Sequence, residues 1–81
     1  MAKEVLLYTT ESCPYCHAAI KFLKSKNIPF REIDVTGDGE ARRMLVEKSG
    51  GRETVPQIFA DGKSIGGYDD LVEFYQKGGR L

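Results

Sequence analysis

The chain has 81 residues, 41% hydrophobic and 30% charged, with 12 basic and 12 acidic side chains and a formal net charge of zero. That length holds one domain over 1–81 with a thin but workable core. Evenly mixed charges argue against nucleic acid or an anionic membrane as partner, since both ask for a clustered positive excess, and no apolar stretch approaches the ~20 residues that span a bilayer.

Met1-Ala2-Lys3-Glu4 runs straight into a strand-like segment and lacks the apolar core of a signal peptide, so a cytoplasmic location is expected. Val5-Leu6-Leu7-Tyr8 is a short continuous apolar run, the pattern of a strand buried on both faces. After a polar break the period changes. Cys16, Ala19, Ile20 and Leu23 fall on one helical stripe, with Ser12 a candidate N-cap and Pro14 tolerated in the first turn. Asn27, with Pro29 following, marks the stop.

A second strand is predicted over 30–35, followed by a turn at Thr36-Gly37-Asp38-Gly39 in which Asp38 can cap the next helix. Ala41, Met44 and Leu45 give that helix an apolar face, and Ser49-Gly50-Gly51 ends it. Gln57-Ile58-Phe59-Ala60 and Lys63-Ser64-Ile65 flank Asp61-Gly62, a strong hairpin signal. Leu71, Val72, Phe74 and Tyr75 mark a last helix closed by Gly78-Gly79. The order is β-α-β-α-β-β-α. The first crossover should join parallel strands and the hairpin an antiparallel pair, giving an α/β fold of four mixed strands and three helices.

Chemistry concentrates at Cys13-Pro14-Tyr15-Cys16, where the first strand hands over to the first helix. In a reducing compartment a cysteine pair is seldom a staple, and a bridge across so short a loop would remove little chain entropy. The nucleophile in thiol chemistry is the thiolate, which unpaired N–H groups and the positive end of a helix favour at a cysteine so placed. Cys16, one turn further in and on the apolar stripe, should be more buried. The asymmetry casts Cys13 as attacking sulfur and Cys16 as resolving sulfur of a redox-active disulfide. A structural zinc needs four ligands, whereas the motif offers two cysteines and His17. The run also satisfies C-x-x-C-H, but haem attachment requires export. Inert structural cysteines are the remaining alternative. His17 reads as a helix-surface residue and Tyr8 as core.

With Thr54-Val55-Pro56 and Gly66-Gly67-Tyr68-Asp69-Asp70 following in order, Cys13-Pro14-Tyr15-Cys16 makes the chain similar to a glutaredoxin of the dithiol type over nearly its whole length. The resemblance implies a thioredoxin fold with Pro56 in cis, which presents the Val55 backbone to an extended thiol peptide. From the residues alone, a trans proline leading into an edge strand is favoured. The implied co-substrate is glutathione, whose two carboxylates and amine would meet Tyr15, Thr54, Val55, Pro56, Gly67, Tyr68, Asp69 and Asp70. Backbone N–H groups at the last helix can hold a carboxylate and an Asp side chain the ammonium, while Asp69 can also serve as that helix's N-cap. Two departures from the family pattern stand out. Thr10 occupies a position where many glutaredoxins carry lysine, and Ser49-Gly50-Gly51-Arg52-Glu53 is one residue longer than usual. Arg42 or Arg52 could supply the positive charge.

The expected activity is therefore reduction of protein–glutathione mixed disulfides and protein disulfides by a cytoplasmic monomer, with no metal. Two relatives of this chemistry are the alternatives: a redoxin reduced by thioredoxin reductase, and a carrier of a glutathione-ligated iron–sulfur cluster, which Pro14 opposes in the family.

Overall fold

Seven elements follow one another within residues 3–79 and 81, the part of the chain that the computed structural model describes. They are β1 (Val5–Thr9), α1 (Pro14–Ser25), β2 (Arg31–Asp34), α2 (Gly39–Lys48), β3 (Gln57–Ala60), β4 (Lys63–Gly66) and α3 (Tyr68–Gln76). This is the order that the hydrophobic periods predict; the Met1-Ala2 lead-in lies outside the described residues.

The sheet runs β2-β1-β3-β4, so the apolar first strand is interior. β1 pairs with β2 in parallel, aligning Tyr8 with Ile33, and with β3 antiparallel, aligning Leu7 with Ile58 and Tyr8 with Gln57. β3 and β4 are antiparallel, joined by Asp61-Gly62 with φ of 50° and 85°. Both residues have the positive φ that a two-residue hairpin turn matching strand twist requires.

Alternation along β1 sends side chains to two cores. On one face Val5, Leu7 and Ile58 pack with Ala19 and Leu23 of α1 and Leu71 of α3. On the other, Tyr8 and Phe59 pack with Val35 and with Leu45 of α2. The Tyr8 and Phe59 rings meet edge to face at 5.5 Å, which makes Tyr8 a core residue as expected.

All three helices end in the same hydrogen-bonded motif, with a left-handed residue just past the C-cap. Asn27 has φ of 57°, and the Asn27 and Ile28 amides donate to Lys24 and Leu23 carbonyls. Gly50-Gly51 closes α2, and Gly78-Gly79 closes α3, through equivalent bonds to Glu47 and Val46 and to Tyr75 and Phe74. Asp38 caps α2, its Oδ1 accepting from the Ala41 amide at 3.0 Å.

Two expected caps are displaced. α1 is capped by Cys13 and not Ser12, because Pro14 fixes the first helical residue and the next side chain back is sulfur. α3 is capped by Gly67 and not Asp69. Asp70 at the third helical position reaches back, its Oδ2 accepting from the Gly67 amide at 3.0 Å. A mixed sheet with α1 and α3 on one face and α2 on the other is the thioredoxin fold. No described helix is long and apolar enough to cross a membrane.

Leu7 is fully buried at the centre of the sheet. Leu7→Ala should lower unfolding stability by about 2–5 kcal/mol in a denaturant titration; a loss below 1 kcal/mol would mean that the core does not turn on this strand.

Candidate active site

The site is built where β1 delivers the chain to α1. Cys13 keeps an extended backbone (φ −99°, ψ 108°) as the N-cap, and its Sγ accepts a hydrogen bond from the Cys16 amide at 3.2 Å. Its carbonyl takes the Cys16 and His17 amides at 3.1 and 3.2 Å. Pro14 at the first helical position has no N–H to leave unpaired. The sulfur thus sits where a Ser or Asp oxygen caps an ordinary helix, against the positive end of the dipole.

Cys13 is half-buried and Cys16 is wholly buried, and both are free thiols. Burial pushes the Cys16 thiol up to about 12, and the hydrogen bond and charge of Cys13 push the same way, against the Thr10 backbone. Cys16 therefore keeps its proton at neutral pH and waits behind its neighbour. His17 is exposed on the helix surface.

The Val55-Pro56 bond is cis, as the resemblance implies and contrary to the trans reading from the residues alone. Cys13 Sγ donates to the Val55 carbonyl at 3.7 Å, which ties the loop before β3 to the N-terminal end of α1.

Beside this contact opens a cleft of about 270 Å³, lined by Tyr15, Arg52, the Thr54–Gln57 segment, and Gly67 to Asp70. Eight residues picked out by resemblance, Tyr15, Thr54, Val55, Pro56, Gly67, Tyr68, Asp69 and Asp70, all come together there. Arg52 joins them, whereas Arg42 stands on α2 and is not part of the wall. Tyr15 is 62% exposed, and its ring lies 6.3 Å from that of Tyr68.

The first of the two glycines ahead of α3 has a structural reason. Gly66 has φ of 115°, and a Cβ there would collide with the Asp70 carboxylate that caps the helix. The same Asp70 Oδ2 faces Arg52 across the cleft at 3.5 Å, with both side chains nearly half exposed. Asp69 is exposed and takes no part in the cap.

Sequence patterning does not single out Gln57, whose one signal is a polar side chain at the head of an apolar strand. It is 1% exposed, and its Nε2 donates to Thr54 Oγ1 at 3.2 Å. Its Oε1 has no partner among the described residues. Such a buried orphan costs roughly 1–3 kcal/mol.

A larger cleft of about 890 Å³, lined by residues such as Phe22, Ile28, Pro29, Tyr75 and Leu81, includes neither cysteine in its walls. The smaller cleft has no cysteine in its wall either, but its wall includes Val55, whose carbonyl Cys13 Sγ touches, and that contact sets it apart from the larger one. Among the described residues no group of three or more His, Cys, Asp or Glu side chains is placed to hold a metal ion.

One reachable sulfur with a second sheltered a helical turn behind it can alternate between two thiols and a bridge. On this fold that defines a thiol–disulfide oxidoreductase. Comparison with known proteins narrows the class. The Glutaredoxin family model matches residues 5–65. The chain is 47% identical over 75 residues to glutaredoxin 3 of Escherichia coli K12, covering 93% of this chain and 89% of the relative. Among solved structures, the glutaredoxin of Brucella melitensis superposes with a TM-score of 0.80 at 40% identity, over 95% of this chain and 83% of that one. A buckwheat glutaredoxin, solved in complex with glutathione, gives 0.81 at 25% identity, over 91% and 69%. The chain belongs to the glutaredoxin family, whose activity is glutathione-linked thiol redox chemistry.

Iodoacetamide at neutral pH should label the folded, reduced protein once, at Cys13, and reach Cys16 only after denaturation; peptide mass mapping that finds equal labelling would contradict the buried, proton-bearing Cys16. A linked effect follows from the raised value. Unfolded Cys16 ionises near its ordinary 9.0 and folded Cys16 near 12. Stability must therefore fall as pH rises through that window. Cys16→Ala should show a shallower alkaline decline in chemical denaturation.

Proposed function

We propose that Cys13 is the nucleophile of a glutathione-dependent reductase acting on protein–glutathione mixed disulfides and on protein disulfides. The observation that carries this is the position of Cys13 Sγ, capped by the Cys16 amide and set against the Val55 carbonyl at the rim of the cleft. Cys13 thiolate attacks the glutathione sulfur of a mixed disulfide, forms a Cys13–glutathione disulfide and expels the protein as thiolate. A second glutathione thiolate attacks that adduct, leaves as glutathione disulfide and restores Cys13. With a protein disulfide, Cys13 first bonds to one protein sulfur. Cys16 then loses its proton and attacks Cys13 Sγ, closing the Cys13–Cys16 bridge and freeing the second protein thiolate. Two glutathiones reopen the bridge. Glutaredoxin potentials of roughly −200 to −230 mV lie near the cytosolic glutathione poise, so the exchange runs in either direction.

Glutathione occupies the cleft in this reading. Its cysteine backbone pairs with Val55 as a short strand. Its γ-glutamyl carboxylate meets the backbone N–H groups at the start of α3, and Asp69, free of capping duty, takes the ammonium. Arg52 rather than Arg42 serves the glycine carboxylate, because only Arg52 lines the cleft and its 3.5 Å link to Asp70 is loose enough to exchange. Tyr15 flanks the bound tripeptide. The reading places the protein in the cytoplasm as a monomer, working on soluble thiols without a metal.

The test is turnover of a glutathione mixed disulfide, recycled by glutathione and glutathione reductase. Cys13→Ser should abolish it and Cys16→Ser should retain it. Arg52→Ala should raise the KM for the glutathionylated substrate about 3- to 10-fold, the scale of one ordinary hydrogen bond at a half-exposed site, with Arg42→Ala changing it less than twofold. Turnover supported only by thioredoxin reductase would overturn the glutathione assignment.

A further inference from the structure

Gln57 is the one buried polar side chain with an atom left unpartnered among the described residues, and it lies in the wall of the cleft. Its neighbours on β3, Ile58 and Phe59, are both core residues, so an apolar side chain would suit this position at least as well. An amide that satisfies only one of its two ends is a poor choice for stability. The end it does satisfy points to its use. Nε2 holds Thr54 Oγ1 at 3.2 Å. Thr54 is exposed and directly precedes Val55, whose carbonyl receives the Cys13 thiol. The contact survives exchange of the amide oxygen and nitrogen, because a threonine hydroxyl both donates and accepts.

We infer that Gln57 is a positioning residue, which anchors Thr54 from beneath and so fixes the Val55 backbone where an incoming disulfide substrate pairs with it. The inference rests on the proposed function for its substrate class but not for its geometry. β3 is held in the sheet through its register with β1, aligning Gln57 with Tyr8. A buried amide on that strand therefore ties a solvent-facing loop to an interior strand of the sheet. No reacting atom touches Gln57; it acts through Thr54.

This role separates function from stability, which an ordinary core residue cannot do. Gln57→Met keeps the volume and removes both the orphan oxygen and the tether. The variant should melt at or above the wild-type temperature, yet its KM for a cysteine–glutathione mixed disulfide should rise about 3- to 10-fold, the weight of one hydrogen bond. Thr54→Val should raise KM by a similar factor, and the double variant should be no worse than either single one, since both cut one tether. A fall in melting temperature with unchanged KM would make Gln57 a structural residue and overturn the inference, as would additive effects in the double variant. The same series is run on a disulfide-bonded peptide. Wild-type turnover on the peptide alone would remove glutathione from the proposed function, and the peptide KM values would then decide the Gln57 inference by the same criteria.

Discussion

The site depends on one hydrogen bond, from the Cys16 amide to the sulfur of Cys13. A helix must cap its first turn, and here the cap is also the sulfur proposed as the nucleophile. That double use fixes three things together. Cys13 cannot drift from the helix terminus without uncapping α1. Cys16, three residues on, is carried onto the buried stripe with Ala19 and Leu23. The two sulfurs are therefore unequal by construction, one half-buried and one in the core, and the proposed division of labour rests on that helical spacing.

The opposite wall is organised by a similar economy. Asp70 caps α3 through the Gly67 amide and also faces Arg52 across the cleft. Gly66 is glycine because that carboxylate occupies the space of a side chain. The Thr54–Gln57 segment closes the cleft between them, joined to α1 by the thiol–carbonyl contact and to the sheet by the Gln57 amide. Three segments far apart in sequence thus converge on a volume of about 270 Å³.

Much of this was legible in the residues because local rules and tertiary demands agree. The apolar run of β1 signalled an interior strand. Asn27, Gly50-Gly51 and Gly78-Gly79 signalled helix ends, and each carries the left-handed residue that such an end needs. Asp61-Gly62 signalled the hairpin. What the sequence concealed depended on geometry between segments. Ser12 looked like the better cap by residue type, and only the placement of Pro14 at the first helical residue shifts the cap to sulfur. Asp69 looked like a cap for α3, but the close approach allowed by Gly66 lets Asp70 reach back instead. The cis Val55-Pro56 bond came from family resemblance, since the dipeptide alone reads as the entry to an edge strand. Arg42 and Arg52 were equivalent as charges until the fold put only one of them on the cleft. Gln57 was hidden because a single polar residue at a strand's head carries no period.

The most direct test of the account is to trap the covalent intermediate. Cys16→Ser protein, reduced and then mixed with glutathione disulfide, should accumulate one glutathione per chain, and peptide mapping by mass spectrometry should place it on Cys13. An adduct-free protein, or glutathione bound elsewhere in the chain, would contradict the assignment of Cys13 as the attacking sulfur.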